Sequence, residues 1–167
     1  MVPPSLFEVV VRRHQAAVRH TLLTLTDGDE MTADDLAQET FIRAFQAWDT
    51  FRALASPKTW LLRIAYTTFC DHLRSQHDSE SLDNYFFHSS SPSESPSCGQ
   101  DLQHDVAVAM QQLTPAERLC VQLFLVEDLS LQQVASITRL NINTVKSHIL
   151  RGKDKLKTFL IQNGYDR

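Results

Sequence analysis

Ser130-Leu131-Gln132-Gln133-Val134-Ala135-Ser136-Ile137 and, a few residues on, Asn141-Ile142-Asn143-Thr144-Val145-Lys146-Ser147-His148-Ile149-Leu150-Arg151 decide the fold. Ser130 with Gln133 makes a capping box, in which each residue satisfies an amide of the other at a helix start. Val134, Ala135 and Ile137 give the short helix that follows its apolar side. Asn141 is suited to cap the next helix, whose inward positions are Val145, Ile149, Leu156 and Leu160. That helix also carries Lys146, Arg151, Lys153, Lys155 and Lys157. A helix of about eight residues, a turn and a longer basic helix is the arithmetic of a helix-turn-helix.

Working outward, Thr114-Pro115-Ala116-Glu117 is a second capping box with Pro at the first helical position, followed by Leu119, Cys120, Leu123, Phe124 and Val126. Upstream, residues 77–104 contain eight Ser, two Pro and five acids but no Lys or Arg, which is linker composition. Leu82, Tyr85, Phe86 and Phe87 interrupt it, so the spacer is expected to dock somewhere. The first half predicts three more helices. One spans about 6–25 behind a Ser5–Glu8 capping box. A second starts at Thr32, with Ala37, Phe41, Ala44, Phe45 and Trp48 as its buried stripe. A third starts at Ser56-Pro57 and runs to about Arg74. No strand pattern of useful length occurs. The expected fold is all-α: two helical domains, 5–76 and 105–161, joined by a flexible acidic linker at 77–104.

Composition narrows the function. The 167 residues carry 16 Lys/Arg against 20 Asp/Glu, a net charge of −4. That average hides two basic blocks, +3 over 51–76 and +5 over 139–157, each preceded by acidic sequence. Only four Gly are present, and neither a dinucleotide-binding nor a phosphate-loop glycine motif occurs. Three widely spaced Cys and seven His show no metal-ligand spacing. No metal, cofactor, small-molecule substrate or enzymatic centre is expected. No apolar run reaches the ~20 residues of a membrane span, and the start lacks a secretory pattern, so a cytoplasmic protein without membrane insertion is expected.

Asp35-Leu36-Ala37-Gln38-Glu39-Thr40-Phe41-Ile42-Arg43-Ala44-Phe45, then Thr59-Trp60-Leu61-Leu62-Arg63-Ile64-Ala65 and Asp71-His72-Leu73-Arg74, resemble the first conserved domain of extracytoplasmic-function (ECF) sigma factors of the sigma-70 class. Leu113-Thr114-Pro115-Ala116-Glu117-Arg118, Asp128-Leu129-Ser130-Leu131-Gln132-Gln133-Val134-Ala135 and Asn143-Thr144-Val145-Lys146-Ser147-His148-Ile149 are similar to their second domain. The resemblance implies a protein that binds core RNA polymerase, directs it to promoter DNA, helps melt the −10 region and is restrained by an anti-sigma factor. Thr67 stands where the family usually has Asn, Arg139 where Gly is frequent, and His148 where Arg is common. The competing reading is an ordinary helix-turn-helix activator with an N-terminal regulatory domain.

Three residue sets follow. The −35 set is Asn143, Thr144, Lys146, Ser147, His148, Arg151 and Lys155, because a major groove admits one helix whose Arg and Lys reach guanine acceptors or phosphates. Asn141 reads as a cap. The −10 set, by resemblance, is Arg52, Lys58, Thr59, Trp60, Arg63, Tyr66, Thr67 and Arg74, since melted strands need stacking faces and cations. Trp60 reads as core in preference to a stacking face, and Tyr66, at an outward position, as the better stacking face. The polymerase set, also by resemblance, is Asp35, Gln38, Glu39, Arg43 and Gln46, an acidic-polar helix face suited to protein rather than DNA. The free chain is expected to bind duplex DNA weakly, because its acidic segments offset its basic helix.

Overall fold

A computed structural model of the chain describes residues 3–52, 55–76 and 102–165. Its helices are α1 (Pro4–Leu25), α2 (Glu30–Gln46), α3 (Pro57–Gln76), α4 (Leu102–Gln111), α5 (Pro115–Val121), α6 (Leu131–Thr138) and α7 (Ile142–Gln162). A single 3-10 turn, Trp48–Thr50, follows α2, and a π-turn, Gln122–Val126, extends α5. No strand occurs among the described residues, so the all-α expectation holds. The readings made for 77–101, Tyr85, Phe86 and Phe87 included, lie outside the described residues.

Helices α1, α2 and α3 pack pairwise into one bundle. Its centre is Val18, Leu22, Ala33, Ala44, Leu61, Leu62, Ala65 and Phe69, all almost fully buried. The helix starts differ from expectation. Pro4 opens α1 behind Pro3 with no side-chain cap, so Ser5 lies inside the helix. Proline's fixed φ begins the helix before a serine cap is needed. Glu8 pairs with Arg12 at 2.6 Å instead of closing a capping box. At α2 the cap is Asp29, which accepts from the Thr32 amide at 3.2 Å and its hydroxyl at 2.7 Å. Phe45, expected in the buried stripe, is 60% exposed. It sits at the end of a row of rings in which Phe7 touches both Phe45 and Trp48, Trp48 stacks on Phe51, and Trp60 leans on both.

In the second half the caps are as expected. Thr114 with Glu117 and Ser130 with Gln133 form complete capping boxes, and Asn141 accepts from the Asn143 amide at 2.8 Å. Arg139 ends α6 at φ 59°, the left-handed conformation that favours glycine. Helix α4 was not expected, since it begins inside the acidic stretch read as linker; it packs on α7. Gly152 is where α7 crosses α5. A Cβ there would come within 2.5 Å of Val121 Cγ2 and 3.2 Å of Leu113 Cδ2. Gly152→Val should therefore overpack this crossing and cost about 1–3 kcal/mol, read as a lower denaturation midpoint.

The two halves also pack on each other. Helix α3 lies against α6, and α1 lies against α5 and the π-turn, so a single apolar cluster includes Tyr66 and Cys70 together with Leu119, Leu123 and Ile137. The two domains are therefore closed onto each other, a contact that the reading of two linked helical domains does not address.

Candidate functional site

The recognition helix α7 is presented by α6 and anchored by Val145, Ile149 and Gly152, all buried. Asn143, Thr144, Lys146, Ser147 and Arg151 are exposed, as the reading requires. Two members differ. Lys155 donates to the buried Glu117 carboxylate at 2.7 Å, tying α7 to the first turn of α5. His148 is half-buried, and its Nδ1 is buried with no hydrogen-bond partner. Leu150, not in the expected set, is 62% exposed and lies one turn beyond Ser147 and Lys146. An apolar side chain at that place can pack on a thymine methyl. Helical spacing could have found it, because the apolar positions of α7 point elsewhere.

Two histidines make folding pH-dependent. Burial pushes His148 below its ordinary value, with Glu117 opposing and Arg151 assisting. Burial, then Arg13 and Lys58, push His14 down in the same way. An unfolded histidine titrates near ~6.5. Below that pH the unfolded chain binds more protons than the folded one. Stability is therefore whole above it and falls as pH drops toward the lower folded values. The urea midpoint should fall between pH 7.5 and pH 5.5, and His14→Gln with His148→Asn should flatten that decline.

On α3 and the segment before it, Arg52 and Arg74 are exposed, and Arg74 reaches Asp71 at 3.3 Å. Thr59 is buried with an unpartnered hydroxyl, and Trp60 is half-buried in the ring row, the core reading of that residue. The remaining four turn toward the second half. Lys58 donates to the Glu127 carbonyl at 2.7 Å and pairs with its carboxylate at 3.0 Å. Arg63 donates to the Ser136 hydroxyl. Thr67 accepts from Arg139 at 3.3 Å. Tyr66, expected to face outward, is only 8% exposed. It belongs to the shared apolar cluster, with Arg139 and Cys120 of the second half close to its hydroxyl. Burial raises its pKa, the neighbouring Cys70 adds to this, and Arg139 opposes it.

The polar face of α2 is open. Asp35, Gln38 and Gln46 are exposed and Glu39 is half-buried. Arg43 is instead a tie between helices, donating to Glu39 at 2.8 Å and to Asp71 of α3 at 2.6 Å. Ile42 stands at the centre of this face, 53% exposed, with Phe45 beside it. Reading Phe45 as core and passing over Ile42 missed both.

Among the described residues no group of His, Cys, Asp and Glu could hold a metal, and no helix is long and apolar enough to cross a membrane.

Residues 10–78 match the family model for Sigma-70 region 2, and residues 103–156 match that for Sigma-70, region 4. The RNA polymerase sigma-H factor of Pseudomonas aeruginosa is 30% identical over 162 residues, covering 90% of this chain and 83% of that protein. The ECF RNA polymerase sigma-E factor of Escherichia coli K12 is 26% identical over 162 residues, covering 90% and 84% respectively. Among solved structures, the sigma factor RpoE from Bartonella quintana, in complex with the anti-sigma factor NepR, superposes with a TM-score of 0.73 at 25% identity, covering 96% of this chain and 98% of that one. CnrH in complex with the cytosolic domain of CnrY shares the fold, with a TM-score of 0.67 at 21% identity over 96% and 90% of the two chains.

Proposed function

The chain belongs to the sigma-70 family as an ECF sigma factor, and from that premise we infer how its parts divide the work of promoter-specific initiation. It binds core RNA polymerase and directs it to promoters. The first domain, 5–76, holds the polymerase through the exposed face of α2 and traps the melted −10 strand on α3 and the preceding segment. The second domain, 105–161, reads the −35 duplex with α7. The polymerase makes the bonds; this chain contributes binding and strand separation and no catalytic group. An anti-sigma factor restrains it, as NepR is seen bound to the structural relative RpoE. The protein works in the cytoplasm, where polymerase and promoter are.

The observation that supports this most is the presence of both regions in the family's order, each with its own basic surface. A helix-turn-helix activator would account for α6 and α7 and would leave the region 2 match without a purpose. Reconstitution tests the reading. Core polymerase mixed with the pure chain should select promoters from random DNA and transcribe from them. Core polymerase alone, or a mixture that forms no stoichiometric complex, should not.

A further inference from the structure

Two cations of the −10 surface, Lys58 and Arg63, are already occupied, while Arg52 and Arg74 stay exposed. Lys58, Arg63 and Thr67, which α3 offers to a melted strand, are bonded in the closed structure to Glu127, Ser136 and Arg139 of the second domain. Tyr66, between them on the helix, is buried under the same contact. Glu127 is the buried member of this set. Its side chain is 7% exposed, its carboxylate takes Lys58 at 3.0 Å and faces Gln122 Nε2 at 3.5 Å. The left-handed Asp128 (φ 55°) follows it directly. A second contact, Arg118 with Asp27, closes the far side against the α1–α2 turn.

A carboxylate and a strand phosphate offer a lysine the same thing: a pair of anionic oxygens. We propose that the closed packing is a self-inhibited form of this sigma factor, in which Glu127 sits on Lys58 in the place of a −10 strand phosphate. Strand and Glu127 then exclude one another, and binding the strand requires the domains to part. This rests on the reading of α3 as the −10 surface. It explains physically why a free chain with an intact basic block would bind DNA poorly: apparent affinity is the open form's affinity reduced by the fraction open. It also makes single-stranded DNA itself an opening ligand, since a ligand shifts an equilibrium toward the form it prefers.

The test uses the full chain with distance labels at the exposed positions Gln15→Cys and Gln162→Cys in a Cys98→Ser background; Cys70 and Cys120 are buried. The free chain should give one short interdomain distance. Glu127→Gln, which keeps shape and removes charge, should lengthen it and raise affinity for a short single-stranded oligonucleotide of −10 composition roughly tenfold. In the chain with native Glu127, saturating oligonucleotide should produce the same lengthening, an arm that does not depend on the substitution folding well. Equal distances and equal oligonucleotide affinity in the two chains would overturn the proposal. So would oligonucleotide binding with no change of distance, or no oligonucleotide binding by either chain. Transcription by the reconstituted holoenzyme is followed in parallel. Glu127→Gln should leave it within about twofold, since polymerase already holds the domains apart. Loss of promoter-directed transcription by the unsubstituted chain would remove the sigma-factor reading, while the distance arm would still report on the closed form.

Discussion

Ile42→Asp should weaken binding to core RNA polymerase by roughly 30-fold or more while leaving the fold intact. Ile42 is one or two helical turns from Asp35, Gln38, Glu39 and Gln46 on the exposed side of α2. It is 53% exposed, and Phe45 beside it is 60% exposed. Large apolar groups ringed by polar ones are how protein interfaces place their anchors, and a central anchor contributes about 2 kcal/mol or more. Because the side chain is exposed, the folding cost of the change should stay within about 0.5 kcal/mol. Arg43→Ala should behave differently. It removes the tie from α2 to Glu39 and Asp71, so the melting temperature should fall along with polymerase affinity. Titration of labelled chain with core polymerase, paired with thermal unfolding, separates the two. Unchanged affinity of Ile42→Asp would move the polymerase contact off this face.

The parts of the fold that were legible from sequence are those fixed by neighbours in the chain. Thr114, Ser130 and Asn141 cap helices because each side chain reaches an amide two or three residues away, and those bonds are present. The same reasoning misread the start of α1, where the pattern Ser5–Glu8 was real but Pro3-Pro4 began the helix first. At α2, Asp29 and Thr32 are both capping residues, and the upstream one took the amide. Helix α4 was hidden because its first residues continue an acidic, serine-rich stretch. For the site, helical spacing identified the exposed side of α7, but not that Lys155 is spent on Glu117, 38 residues away. Nor could it show that Tyr66 is buried in a cluster shared with the second half. Local sequence carries no record of which distant surface closes over a helix.

That covering sharpens the expected division of labour between the two basic surfaces. Arg151→Ala on the exposed side of α7 should weaken recruitment to fully duplex promoters, by about 1–3 kcal/mol if the guanidinium reads a base. Raising holoenzyme concentration should restore initiation, because the defect lies in association. Lys58→Ala with Arg63→Ala should do the reverse. Closed complexes should still form, since α7 is untouched, but strand opening should fall by tenfold or more, because two cations facing the melted strand are gone. A template mismatched across the −10 region removes the cost of opening, so it should rescue Lys58→Ala/Arg63→Ala and leave Arg151→Ala defective. Tyr66→Phe keeps a stacking ring while losing the hydroxyl, and should open promoters nearly as well as the unsubstituted chain. Tyr66→Ala is the less informative change, because the ring also fills the closed interface and its loss would act on both forms. Permanganate reactivity of thymines on matched and mismatched templates reads the outcome directly. If both sets of substitutions gave the same pattern on both templates, melting could not be assigned to α3 and duplex recognition to α7.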